Sequence, residues 1–497
     1  MTTIAQGKNT SFRARMQSDI ASLGQQLRHQ AYVGQPHELL ITSLLDQVQK
    51  IDFRERAGFD VDDEDAKLKK EHYLVIIVEE LLDLAKRNKW QLCQRDGSFY
   101  LFNGAFWKLI DNDEVKNLLQ KAAERMGADK FKARHYEFAD QLFKQFIVSA
   151  HLSAPKVNRD QVRINLTNGT LLIEADKISL HPPDPDHFMT YQLPFAYDPE
   201  GQAPTWLRYL MRVLPEAELQ NVLAEGFGYI FIPSRKLKLE KMLLLSGDGS
   251  NGKSVAFEIL SALLGPENLS SYSLEKLTTE ETHRAKIKDK LVNYCSEISI
   301  NLEASMFKAL VSGESVPARE LYGKPFHIEN YAKLIANANK LPTVAEHTHA
   351  WFRRFLIIPF NVTIPDHEQD TQLANKIIAS ELPGVLNWVL AGLRRLLKQE
   401  HFTNSEAVRA QTELYKRQSD TVRLFLDEYG YESAVNQVMP LQDLYREYQG
   451  FCRDDGHRNP VNKLNFRKRI EGFNILTGNR NIGRVVFIVR KLSDTPD

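Results

Sequence analysis

The chain has 497 residues, 43% of them hydrophobic, too many for one core, and this predicts about three or four domains. Lys plus Arg and Asp plus Glu both number 64, so no global positive field marks a nucleic-acid partner, and any DNA contact must come from local clusters. Cys93, Cys295 and Cys452 are too scattered for a disulfide framework or a zinc ligand set. There is also no signal-type N-terminal run and no stretch of about 18 apolar residues, so the expectation is a cytoplasmic protein with no membrane partner.

In chain order, Leu39, Leu40, Leu44, Val48 and Ile51 recur at three- and four-residue spacing, which predicts a helical N-terminal segment over 1–65. The acidic run Asp60, Asp62, Asp63, Glu64 and Asp65 reads as a solvated loop before a helix over 73–87. Residues 66–203 read as a mixed α+β region, with short strands at 99–102 and 106–110 and a hairpin over 165–173. The proline-rich stretch 182–185, followed by 197–201, reads as a surface connection, with a boundary near 203.

Residues 241–246 form an apolar run of buried-strand length, and 255–264 have helical spacing that stops at Gly265. Between them Gly247, Asp248, Gly249, Ser250, Asn251, Gly252, Lys253 and Ser254 fit the pattern G-x-x-x-x-G-K-[ST]. In such a loop glycines let backbone N–H groups turn toward phosphates, the lysine reaches the β and γ oxygens, and the hydroxyl holds Mg²⁺. Residues 247 to 254, with Val255, are therefore the candidate nucleotide site, and ATP and Mg²⁺ the expected cofactors. Glu297, at the tip of the run 291–297, is the candidate to orient the attacking water and to share the metal with Ser254.

Further motifs follow in order: Phe307 to Glu314; Ala318, Arg319, Tyr322, Gly323, Lys324 and Phe326; the apolar run from Lys333 to Asn339 and Pro342; and Trp351, Arg353, Arg354, Pro359 and Phe360. Flanking pieces are Asn165 to Gly169, Tyr191 to Pro194, Pro204 to Leu207, and Leu382 to Trp388. Together they resemble the superfamily 3 DNA helicases and, within them, the phage/plasmid primase-helicase family with its poxvirus-type relatives. The resemblance implies a multidomain α/β chain with an AAA+-like P-loop motor core over 204–400, acting as a homo-oligomeric ring, expected to be a hexamer. It implies that Asn339 is the sensor of the γ-phosphate. It also implies that Lys324 sits on a DNA-tracking hairpin over 322–328, with His327 as a second contact and Arg319 at the subunit interface or on DNA. Arg354 resembles the arginine finger that completes a neighbour's site, and Arg353 is the alternative. Where the superfamily commonly shows two adjacent carboxylates, this chain has Ser296 and Glu297.

After a helical linker over 401–420, residues 421–497 read as a winged helix: a helix over 440–452, another over 463–473, and a strand pair 475–476 with 485–489 around the tip 478–483. From Arg453 to Lys491 there are ten Lys/Arg against three Asp/Glu, and Arg467, Lys468 and Arg480 are candidate DNA contacts. The expected function is an ATP-dependent, ring-forming replicative helicase of a mobile genetic element in a bacterial host, acting on single-stranded and duplex DNA alongside other replication proteins. Two alternatives stay open: a bifunctional primase-helicase, and an origin-binding initiator with ATP-gated DNA binding.

Overall fold

The structure is a computed structural model that describes residues 36–59, 67–88, 90–95, 98–151, 161–296, 302–321, 323–338, 348–455 and 460–491. The chain divides into two compact units, one ending at Tyr197 and the other starting at Asp198.

In the first unit the helices His37–Gln47, Lys70–Arg87, Asn112–Met126 and Tyr136–Ser149 share one core built on Leu44, Ile77, Leu81, Leu119 and Phe146. Helix Asn112–Met126 shows why the sequence folds so. Val115, Leu118, Leu119, Ala122, Ala123 and Met126 bury one stripe, Asp111 caps the start, and Gly127 ends it in the left-handed region at φ 102°. The antiparallel strands β1 Gln91–Arg95, β2 Ser98–Phe102 and β3 Trp107–Ile110 are covered on both faces. Leu92, Phe99 and Leu101 enter the helical core, and Cys93, Tyr100, Phe102 and Trp107 form a second cluster behind them. A second antiparallel sheet joins β4 Val162–Leu166, β5 Gly169–Ile173 and β6 Ile178–His181. The proline-rich segment after β6 folds back onto this unit: the Trp107 indole donates to Pro185 O at 3.0 Å, and Phe188 stacks on the same ring. Residues 12–35 and the acidic run 60–65 lie outside the described residues.

The second unit is built on a parallel five-stranded sheet: β7 Met242–Ser246, β8 Leu269–Ser270, β9 Val292–Cys295, β12 Lys333–Ala338 and β13 Phe355–Pro359, in the spatial order β13-β7-β12-β9-β8. Strand β7 has parallel neighbours on both edges and is buried throughout, which explains its continuous apolar run. A hairpin, β10 Val316–Arg319 with β11 Pro325–Ile328, stands apart from that sheet. Helices Ala217–Tyr229 and Leu382–Gln399 cross closely, because a Cβ at Gly392 would sit 2.4 Å from the backbone of Ala224. The helix Glu406–Ser419, read from the sequence as a linker, buries Tyr415 in the core beneath the sheet.

The C-terminal part has its own core of Phe425, Leu444, Tyr448, Phe466 and Ile470. Its helices are Thr421–Glu428, Leu441–Asp454 and Lys463–Gly472. The strands are β14 Tyr431–Ser433, β15 Met439–Pro440, β16 Thr477–Arg480, β17 Gly483–Val486 and β18 Ile488–Arg490, with β15-β17-β16 in one sheet and β14 on β18. The expected strand at 475–476 is displaced: Ile475 is drawn into the core, Leu476 is exposed, and pairing begins at Thr477. The helix at 421–428 was not expected.

Candidate active site

The glycine-rich loop leaves the C-terminal end of β7 and feeds the helix Lys253–Leu264, so it lies at one end of the parallel sheet, where β7 runs between the edge strand β13 and the central strand β12. Gly247 is at φ +155°, and a Cβ there would meet Phe360 O at 2.4 Å. Gly252 caps the helix at φ +88°, and a Cβ there would meet Val213 at 2.9 Å and Tyr209 at 3.1 Å. Both glycines therefore answer to backbone conformation and close packing together. Asp248, Gly249 and Ser250 are exposed at the crest of the loop, Ser254 is exposed at the first turn of the helix, and Val255 is half-buried.

The loop is tied down on three sides. Asn251 is buried and donates to Phe360 O at 2.8 Å, Ile364 N–H donates to Ser250 O at 2.8 Å, and the Tyr209 hydroxyl donates to Gly252 O at 2.8 Å. Lys253 is buried, and its ammonium donates to Gly247 O and to Asn251 Oδ1. Burial pulls its pKa down, with Asp248 acting the other way. Its hydrogen-bond partners are neutral oxygens, and within the loop only the exposed Asp248 acts on its charge. A buried ammonium with neutral partners, exposed backbone beside it and a hydroxyl at a helix start suits an anion carrying a divalent cation. On strand β9, the Tyr294 ring stacks on Phe257 of the helix Lys253–Leu264, with ring centroids 3.5 Å apart. Glu297 and Asn339, the expected water-orienting carboxylate and sensor, lie outside the described residues.

Arg353 and Arg354 sit at the other end of the sheet. Phe355 pairs with Met242 and Pro359 with Ser246, so β13 starts where β7 starts, a strand's length from the glycine-rich loop. The two arginines differ. The Arg354 side chain is 9% exposed and is used within its own chain, donating to Ala350 O and to Ser312 Oγ at 3.2 Å. The Arg353 side chain is 51% exposed and pairs with Glu240 at 2.9 Å. Of the two candidate fingers, Arg353 is thus the exposed one and Arg354 the enclosed one. Glu240 lies 3.8 Å from Arg354 as well; burial opposes its ionisation, but Ser312, Arg354 and Arg353 together hold its carboxyl below the ordinary range.

Arg319, Lys324 and His327 come together on the β10–β11 hairpin, all exposed. The hairpin is longer than the expected 322–328, because Val316 already pairs with Ile328. Arg319 Nε donates to Gly323 O at 3.0 Å, which pins the turn, and Leu321 at the tip is 69% exposed. In the C-terminal part Lys468 and Arg480 are exposed, whereas Arg467 leans on Glu471 at 3.5 Å. Arg469 is taken by the buried Asp420 at 3.1 Å and belongs to the core.

Sequence reasoning missed Tyr209, Glu240 and Leu321. Tyr209 shares a helical stripe with Trp206, Leu210 and Val213, a pattern that signals core and hides the hydroxyl's contact with the loop. Glu240 carried no signal, since its role depends on a pair of arginines more than a hundred residues away.

Two family descriptions match parts of the chain: "D5 N terminal like" over residues 71–215, and a family of unknown function, DUF5906, over residues 245–354. The chain is similar to "Putative helicase L207/L206" of Acanthamoeba polyphaga mimivirus, 22% identical over 44% of this chain and 25% of that protein. It is also similar to "Putative primase C962R" of African swine fever virus (isolate Tick/Malawi/Lil 20-1/1983), 25% identical over 66% of this chain and 37% of that protein. The chain thus spans between a quarter and two-fifths of the length of these relatives. A solved structure described as the A-form apo structure of the NrS-1 C-terminal region aligns with a TM-score of 0.47 at 14% identity, covering 84% of this chain and 99% of that one.

Proposed function

We propose that the chain is an ATP-dependent DNA helicase acting in replication of a virus, phage, plasmid or other mobile element, and that it works as a ring. The observation that carries this reading is the glycine-rich loop: it fits G-x-x-x-x-G-K-S in sequence, and it joins a buried parallel strand to a helix that begins at the lysine itself. The names of the relatives, helicase and primase, support a replication role. The strand order β13-β7-β12-β9-β8, which counted along the chain is fifth, first, fourth, third, second, agrees with the AAA+-like core that the sequence resemblance implies.

A nucleoside triphosphate with Mg²⁺, which supplies the phosphoryl group and the neutralising cation, would be held by Lys253, Ser254 and the backbone N–H groups of the loop. Glu297 and Asn339 keep the roles the sequence resemblance gives them. Arg353 takes the finger role. A five-residue strand spans about 15 Å at about 3.3 Å per residue, so Arg353 is too far from its own loop, and it would complete the site of an adjacent subunit. Lys324, with Arg319 and His327 beside it, would grip the strand backbone in the ring's channel. Opening duplex DNA costs about 1.4 kcal/mol per base-pair step, which requires coupling to hydrolysis.

The test is ATP hydrolysis and forked-duplex unwinding by the purified chain and by Lys253→Ala. The reading requires both activities in the first and neither in the second; a native chain inert toward ATP with Mg²⁺ and single strands present refutes it. The relative named a primase favours a second activity, primer synthesis, which an assay with ribonucleotides on a single-stranded template decides.

A further inference from the structure

In the first unit the short helix Lys130–Arg134 meets the helix Tyr136–Ser149 at a single residue, His135. The corner is held rigidly from beneath. Asp129 caps the first turn by accepting from Lys132 N–H at 2.9 Å, and Ala133 and Phe138 are buried in the core. Arg134 forks onto both oxygens of Glu124 on the neighbouring helix, and Lys132 Nζ lies 4.5 Å from the centre of the Tyr73 ring. On this fixed corner two aromatic side chains face outward, Phe131 at 83% exposure and Tyr136 at 69%. The His135 ring sits 4.8 Å from that of Tyr136, which extends the platform.

Exposing one large apolar side chain is ordinary. Two aromatics on a braced corner, interleaved with Lys130, Lys132 and Arg134 and bounded by Asp129 and by Glu137, which accepts from the Tyr136 hydroxyl at 3.3 Å, is a specific arrangement. Rigid aromatic faces receive nucleobases, and interleaved cations follow the phosphates of the same strand. A duplex does not offer its base faces, so the chemistry selects an unpaired strand.

We propose that the corner formed by Lys130, Phe131, Lys132, Arg134, His135 and Tyr136 is a binding platform for single-stranded nucleic acid, separate from the β10–β11 hairpin. Bases stack on Phe131 and Tyr136, and Lys130 meets the backbone, while Arg134 braces the corner through Glu124. The glycine-rich loop has no part in this contact.

The test uses the full chain in fluorescence anisotropy with a labelled oligothymidylate of about 30 nucleotides and with a duplex of the same length, in the absence of nucleotide. F131A and Y136A should each weaken binding of the single strand by about 5- to 150-fold, the range expected for loss of one stacked base, and should leave duplex binding unchanged. F131W and Y136F should retain affinity, because a π face is kept in each; F131L should lose it, because only apolar area is kept. Circular dichroism and ATP hydrolysis without DNA check that the variants fold. Unchanged single-strand affinity in F131A/Y136A overturns the proposal, as does full affinity in F131L. So does a changed sedimentation coefficient in F131A/Y136A with unchanged DNA binding, which would make the corner a contact between copies. The platform is read by binding without nucleotide and the ATPase reading by hydrolysis without DNA, so the two can fail independently.

Discussion

The hydroxyl of Tyr209 donates to the carbonyl of Gly252 at 2.8 Å, and the same ring closes the space that a side chain at Gly252 would need. A residue on the helix Pro204–Val213 thereby sets the position of the last turn of the glycine-rich loop, directly before Lys253. Burial drives the Tyr209 pKa far up, so the hydroxyl stays a donor across the accessible pH range. Tyr209→Phe keeps the ring but removes one of the two bonds to Gly252 O, which still accepts from Ala256 N–H at 3.2 Å, so the cost is that of one hydrogen bond, about 0.5–1.5 kcal/mol. The expected outcome is a lower denaturation midpoint together with a raised KM for ATP; an unchanged KM would confine Tyr209 to a packing role. Gly252→Ala should be worse, since it adds a clash at 2.9 Å with Val213 to a φ of +88°. Gly249→Ala should fold normally, because nothing lies within 4 Å of its Cβ.

Much of this was legible because glycine and lysine at fixed spacing, bounded by an apolar run and a helical period, leave few local structures to choose from. The helices at 73–87 and 463–473 were readable for the same reason, each burying one stripe, as Phe466 and Ile470 do. What could not be read depends on contacts distant in sequence. Adjacent arginines look equivalent until Ser312 and Ala350 enclose one of them. The start of the hairpin at Val316 is set by its pairing with Ile328, and the retreat of Ile475 from strand to core is set by Phe466 and Ile470 around it.

The difference between Arg353 and Arg354 gives a paired prediction. Arg353→Ala should lower kcat for ATP by about 10³-fold or more, the effect expected of a finger supplied in trans. Titrated into native protein, it should depress activity more steeply than its mole fraction. Arg354→Ala should instead destabilise the fold, because it leaves Ser312 and Glu240 without the guanidinium they face. Its folded fraction should hydrolyse ATP nearly normally. Steady-state kinetics of both variants, set beside their melting curves, decide the assignment; a reversed pattern would return the finger to Arg354.

On the hairpin, Lys324→Ala should keep ATP hydrolysis within about twofold and lose unwinding by at least about tenfold, a difference of about 1.4 kcal/mol in the coupled step. Leu321→Ala, at the exposed tip, tests whether apolar contact with bases adds to the grip of the lysine. A strand-displacement assay at saturating ATP separates the two effects. Equal loss of hydrolysis and unwinding in Lys324→Ala would place that lysine in assembly instead.

Lys333 offers a test by pH. Its ammonium donates to Ser234 Oγ at 2.8 Å and lies 4.4 Å from the centre of the Tyr229 ring, and burial brings its pKa down to about 8. The folded chain therefore releases this proton near pH 8, while the unfolded chain holds it to about 10.4. Between those values the unfolded state binds more protons, so stability contributed by this site rises with pH, and the cost of burying the charge is fully present below pH 8. Lys241, also lowered to about 8 by burial and then by Arg353, adds the same slope in the native chain. Lys333→Met should thus be more stable than the native chain at pH 7, by at most about 3 kcal/mol after the lost hydrogen bond and cation–π contact are counted. That advantage should shrink steadily from pH 8 to pH 10. Thermal melts of both proteins across this range provide the check, and a constant difference would mean that Lys333 keeps its proton when folded.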